Sequence, residues 1–74
     1  MRILYKDEDG IVSAAKVYLM AYDPRGQTLF WEEESKVREI KIDQFTAQEV
    51  IRYIYEYGQI DITVYGRATE NEEE

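Results

Sequence analysis

The tetrapeptide Asp23-Pro24-Arg25-Gly26, followed at once by Gln27-Thr28-Leu29-Phe30-Trp31, constrains this chain more than any other feature. Aspartate at the first turn position bonds its own downstream backbone, proline presets φ at the next, and glycine accepts the left-handed conformation of a bulge. With apolar residues on both sides, that chemistry predicts a β-hairpin built on a type I turn and a G1 bulge. Asp7-Glu8-Asp9-Gly10 repeats the pattern without the proline and predicts a second, N-terminal hairpin.

Turn chemistry carries register with it. A bulge at Gly26 sets Asp23 opposite Gln27, Ala21 opposite Leu29 and Leu19 opposite Trp31. Those positions, with Val17, form the expected core face. The other face pairs Tyr22 with Thr28, Met20 with Phe30, Tyr18 with Glu32 and Lys16 with Glu34. A slip of one residue would exchange the two faces. At the first loop the same logic pairs Ile3 with Ala15 and Tyr5 with Ser13, and sets Arg2 opposite Lys16. Residues 13–22 also show helical spacing at Ala14, Val17, Tyr18 and Ala21, but the hairpin context favours strand. Glu32-Glu33-Glu34-Ser35-Lys36 interrupts the alternation, which resumes through Ile40 and Ile42.

The period then changes. Thr46-Ala47-Gln48-Glu49 has the spacing of a capping box, with Phe45 and Val50 placed for a hydrophobic staple. Ala47, Val50, Ile51 and Ile54 form one apolar stripe, and Gly58 stands where a left-handed C-cap ends a helix. Beyond it, Ile60, Ile62 and Val64 alternate with polar positions. The fold class expected is α+β: a small antiparallel β-meander of about four strands over residues 2–43, one α-helix at about 46–57 packed on one face, and a C-terminal fifth strand at about 60–65. Counting directions makes that last strand antiparallel to the first and orders the sheet 5-1-2-3-4, with parallel pairing to strand four as the alternative. Residues 1–66 are expected as one domain, and 67–74, ending Glu70-Asn71-Glu72-Glu73-Glu74, as an acidic, disordered tail.

Composition bears on function mainly by exclusion. The chain has 74 residues, no cysteine and no histidine, so thiol chemistry, Cys-based metal sites and the commonest general base are all missing. Ser13 and Ser35 therefore have no histidine to activate them. Asp7 and Asp9 before Gly10 suggest a calcium loop only until the spacing is checked: Tyr5 and Lys16 fall where carboxylates belong. No enzyme, cofactor or metal is expected. The net charge of −7 disfavours nucleic acid, and the cationic set Lys36, Arg38, Lys41 and Arg52 is small, with Arg38 and Lys41 on opposite faces of a strand. No apolar run spans a membrane and no leader is expected, so a cytoplasmic protein is the expectation.

Two aromatic groups remain. On the helix, Tyr53 and Tyr57 share one side of the stripe and Tyr55 takes the other, an arrangement expected to trim the core edge. On the hairpin, Tyr18, Met20, Tyr22 and Phe30 are expected to form an exposed face, since one helix covers one side of a small sheet. The function expected is a protein-interaction module that binds a protein partner or itself, as a homodimer, through that aromatic hairpin face. The alternative is an acidic inhibitor or decoy that occupies a basic, nucleic-acid-binding surface of another protein.

Overall fold

A computed structural model of the chain describes residues 1–71 and shows an α+β fold of seven strands and one helix. In chain order the elements are β1 (Arg2–Lys6), β2 (Val12–Lys16), β3 (Leu19–Asp23), β4 (Thr28–Glu32), β5 (Val37–Lys41), α1 (Gln44–Tyr57), β6 (Gln59–Asp61) and β7 (Thr69–Asn71), with a 3-10 turn at Thr63–Tyr65. The strands make two sheets, ordered β2-β1-β6 and β3-β4-β5-β7.

The expected second strand is two strands. It breaks at Val17 and Tyr18, where the chain passes from one sheet to the other. Val17 N–H still donates to the Met1 carbonyl at 2.7 Å, while Tyr18 N–H donates to the Glu32 carbonyl at 2.9 Å. The corner thus closes one ladder and opens the next, and Val17 is buried in the core. Such corners let a small sheet fold over on itself and enclose a core that a flat meander would leave open on one side.

The first hairpin has the expected register, with Ile3 opposite Ala15, Tyr5 opposite Ser13 and Arg2 opposite Lys16. Gly10 takes the left-handed conformation, φ 82°. The second hairpin is shifted by one residue: Asp23 faces Thr28, Met20 faces Trp31 and Leu19 faces Glu32. The left-handed residue there is Gln27, φ 50°, not Gly26, so the loop holds four residues rather than three. The longer loop turns the side chains of β3 over while leaving Leu29 and Trp31 in the core. Met20 is 3% exposed and Leu19 43%, the reverse of the expected placement.

The helix ends where expected but starts earlier. Gly58, φ 83°, donates its N–H to the Ile54 carbonyl, as a left-handed C-cap does. At the other end Asp43, not Thr46, is the N-cap, and its carboxylate accepts from the Thr46 N–H at 3.0 Å and from the Thr46 hydroxyl at 2.7 Å. Thr46 therefore lies at the third helical position, and Phe45, 72% exposed, makes no staple. Aspartate caps at least as well as threonine, and the cap nearer the strand leaves a shorter link from β5. Ala47, Val50 and Ile54 are buried, and α1 packs chiefly on β6 and β3, one strand from each sheet.

The C-terminal segment departs most from expectation. β6 pairs with β1 in parallel, not antiparallel, and covers only Gln59–Asp61. The direction count assumed a single sheet of alternating strands, and the corner at Val17–Tyr18 removes that premise. After Ile62 the chain loops outward through the 3-10 turn, leaving Val64 81% exposed, then rejoins β1 at a bridge between Lys6 and Arg67. Ala68 is fully buried and donates its N–H to the Lys6 carbonyl at 2.7 Å, and β7 adds to β5 with Arg38 opposite Glu70. Residues 67–71 of the expected tail are thus part of the domain, and 72–74 lie outside the described residues.

Candidate interaction surface

The four residues expected to form the hairpin face do not share a surface. Met20 is buried against Trp31, its partner across the strands. Tyr22 lies on the same inward side, half-buried, and its hydroxyl donates to the Ile42 carbonyl at 2.9 Å. That burial, with Asp43 and Asp23 nearby, pushes its pKa above the ordinary phenol value. Phe30 faces the opposite way, across from Ala21 and Glu39. Tyr18 is exposed at the corner, with the Lys16 ammonium 5.5 Å from its ring centre. The one-residue shift in register is what divides the group.

The cations are likewise not assembled. Arg38 points inward beside Trp31, its guanidinium 5.1 Å from the Tyr5 ring and its Nε 3.5 Å from Glu33 Oε2. Trp31 Nε1 donates to the same carboxylate oxygen at 3.0 Å, and the Tyr5 and Trp31 rings lie 5.5 Å apart. Burial first, and then the Glu33 charge, raise the Tyr5 pKa. A guanidinium set this way closes the core and is not offered to phosphate. Arg52 is paired with Glu49 at 2.7 Å, and Lys41 Nζ lies 3.3 Å from the Gly26 carbonyl.

Three aspartates are similarly occupied in local structure. Asp7 accepts from the backbone of Asp9 and Ile11, Asp23 from Arg25, and Asp61 from the N–H and hydroxyl of Thr63. The two Thr63 bonds hold the Asp61 carboxyl below the usual carboxylate range. Among the described residues no three metal-ligating side chains are gathered, and no helix is long and apolar enough to cross a membrane.

What the fold does leave free is β2. It ends its sheet, with β1 as its one strand neighbour. At the two ends of that ladder Asp7 N–H donates to the Ile11 carbonyl (2.9 Å) and Val17 N–H to the Met1 carbonyl (2.7 Å). Antiparallel bonding alternates, so residues 11, 13, 15 and 17 turn their backbone groups toward β1. Val12, Ala14 and Lys16 turn theirs away, and none finds a protein partner among the described residues. Their side chains are exposed as well, with Val12 at 52%. Ile11, Tyr18 and Leu19 extend this exposed apolar border on either side.

Beside the strand a shallow depression of about 330 Å³ is bounded by Arg2, Leu4, Ala14, Tyr53, Ile60 and Asp61. Tyr53 and Tyr57 share one side of α1, as their spacing predicts, with ring centres 4.6 Å apart. Tyr55 leaves the other way, its hydroxyl 3.5 Å from the Met20 carbonyl. One exposed face of Tyr18, Met20, Tyr22 and Phe30 is the expectation from sequence, and the fold does not bring these four together. One sequence signal includes β2 without singling it out: residues 10–22, which also span the corner and most of β3, are the longest stretch of the chain without an aspartate or glutamate.

No family model matches the sequence, and no curated protein or solved structure matches it either.

Proposed function

We propose that this chain is a protein-interaction module that receives an extended polypeptide segment along β2. The observation that carries the reading is the row of outward backbone groups at Val12, Ala14 and Lys16, bordered by exposed apolar side chains. Main-chain bonds to an added strand supply affinity, and alternate side chains supply selectivity. An edge of this kind is normally shielded by charge, proline, a bulge or a covering segment, and β2 carries a single lysine at its end. The adjoining depression under Tyr53 offers a place for one side chain of the added segment to rest. Chemistry is not the better reading, because Asp7, Asp23, Asp43 and Asp61 are engaged in turns and a cap and the depression is shallow and mixed in character.

The test is a selection of short random peptides against the immobilised protein, followed by titration of the enriched peptides into labelled protein. Peptides of alternating apolar residues are expected, with the largest amide shifts at Val12, Ala14 and Lys16. Enriched peptides that shift residues elsewhere, or a selection that enriches nothing, would overturn the reading.

A further inference from the structure

We infer that the segment β2 receives is β2 of a second copy of this chain, laid antiparallel across a two-fold axis at Ala14; the inference rests on the reading of β2 as a receiving edge. The outward backbone groups at Val12, Ala14 and Lys16 are centred on Ala14. A two-fold axis there sets Ala14 opposite Ala14 of the second copy, and Val12 opposite its Lys16. Each of these is a hydrogen-bonded pair that exchanges both N–H···O bonds, so every outward group of the strand gains a partner. The contact is isologous and closes at two copies.

Other registers serve the strand less well. An axis at Ser13 or Ala15 carries one outward group past the end of the opposing strand. An axis at Lys16 sets two ammonium groups face to face, which cross-strand pairs disfavour. At Ala14 the side chains meeting on the axis are the smallest of the three, and Val12 lies along the aliphatic stem of the opposing lysine.

Charge is compatible with the same edge. Two copies at −7 repel one another, so a stable approach needs a surface without carboxylates. Residues 10–22 provide the longest such stretch, with Lys16 as its one charge. The apolar side chains of Ile11, Val12, Tyr18 and Leu19 are exposed along it. Joined this way, β6-β1-β2 and its copy make one continuous six-stranded sheet, and neither copy keeps β2 as an edge.

Sedimentation equilibrium from the low micromolar range to about 1 mM tests this directly. The parent is expected to reach dimer mass and to associate more tightly as salt rises, because screening weakens the net repulsion. Val12→Lys places a second cation against Lys16 of the other copy and should raise the dimer Kd by roughly tenfold or more. Val12→Glu at the same exposed site should lower the Kd or leave it unchanged. This opposition of sign separates a contact at this register from a general loss of folding, which circular dichroism of both variants checks. A parent that stays monomeric at the highest concentration overturns the inference, as do two variants that move the Kd equally. If that monomer still binds selected peptides at Val12, Ala14 and Lys16, the self-pairing fails and the interaction module stands. If it binds none there, both fail.

Discussion

β2 and β3 are consecutive, equal in length, and each ends its own sheet, yet one is open and the other covered. β3 lies against α1, sends Met20 into the core, and has Tyr22 bonded to the Ile42 carbonyl just before the helix cap. β2 alternates exposed and half-buried positions, and no part of the described chain lies along its outer side. The corner at Val17–Tyr18 separates the two conditions within a few residues. Exposed apolar side chains also occur on α1 and in the segment after β6, at Phe45, Tyr57 and Val64, so what sets β2 apart is that such side chains coincide with a row of outward backbone groups.

That contrast predicts that truncation is felt very unequally on the two strands. Met20→Ala removes a core side chain beside Trp31 and should cost about 2–5 kcal/mol, whereas Val12→Ala should stay within about 0.5 kcal/mol in dilute solution. Urea unfolding at low micromolar concentration measures both. Similar midpoints would mean that β2 is as well packed as β3.

A proline pair examines β2 residue by residue. Ala15 N–H points to β1, so Ala15→Pro breaks the ladder and strands the Ile3 carbonyl, at a cost of about 1–3 kcal/mol. Ala14 N–H points outward, and proline is tolerated on the solvent side of an edge strand. Ala14→Pro should therefore fold with far less loss while abolishing whatever pairs with the edge. Equal destabilisation of the two variants would show that the alternation deduced from Asp7, Ile11, Val17 and Met1 is wrong.

The two turns extend the comparison at smaller scale. Gly10 holds a left-handed φ with Arg67 packed close by, so Gly10→Ala should destabilise by about 1 kcal/mol. Gln27 holds a left-handed φ with a side chain present, and Gln27→Gly should stabilise by less than about 1 kcal/mol, since relief of strain is offset by chain entropy. Thermal unfolding in which both changes had the same sign would refute this assignment of strain.

Those turns also explain what was legible in the sequence. Where glycine occupies the left-handed position, at Gly10 and Gly58, turn type, register and helix end all follow from the residues. Where glutamine occupies it, the neighbouring Gly26 attracts the assignment, and a single residue of loop length inverts β3. The helix stripe was legible because Ala47, Val50 and Ile54 recur at a period that only a helix satisfies. Its start was not, because Thr46 donates to the cap and is not the cap itself. The corner was hidden for a different reason: Lys16-Val17-Tyr18-Leu19 contains no glycine or proline, and the bend comes from which ladder each N–H joins. The candidate surface followed the error in register. The β2 edge, whose register was right, was visible only as an absence of acid.

Acid gives the smallest effect and addresses the covered side of the comparison. Bonds from the Thr46 hydroxyl and N–H hold the Asp43 carboxyl below the usual carboxylate range. Because the folded value lies below the unfolded one, the cap contributes its full stabilisation above the ordinary carboxylate range and loses it as pH falls through the depressed value. Asparagine caps equally well without titrating, so Asp43→Asn should keep the neutral-pH stability and lose that part of the acid dependence. Asp43 directly follows Ile42, whose carbonyl holds the Tyr22 hydroxyl, so loosening the helix start should reach β3 before β2. In the parent, acid should lower hydrogen-exchange protection factors at the first turn of α1 and along β3 ahead of the β1-facing amides of β2, and in Asp43→Asn that order should disappear. Protection that falls uniformly across both strands would mean that the cap and the cover over β3 are not connected.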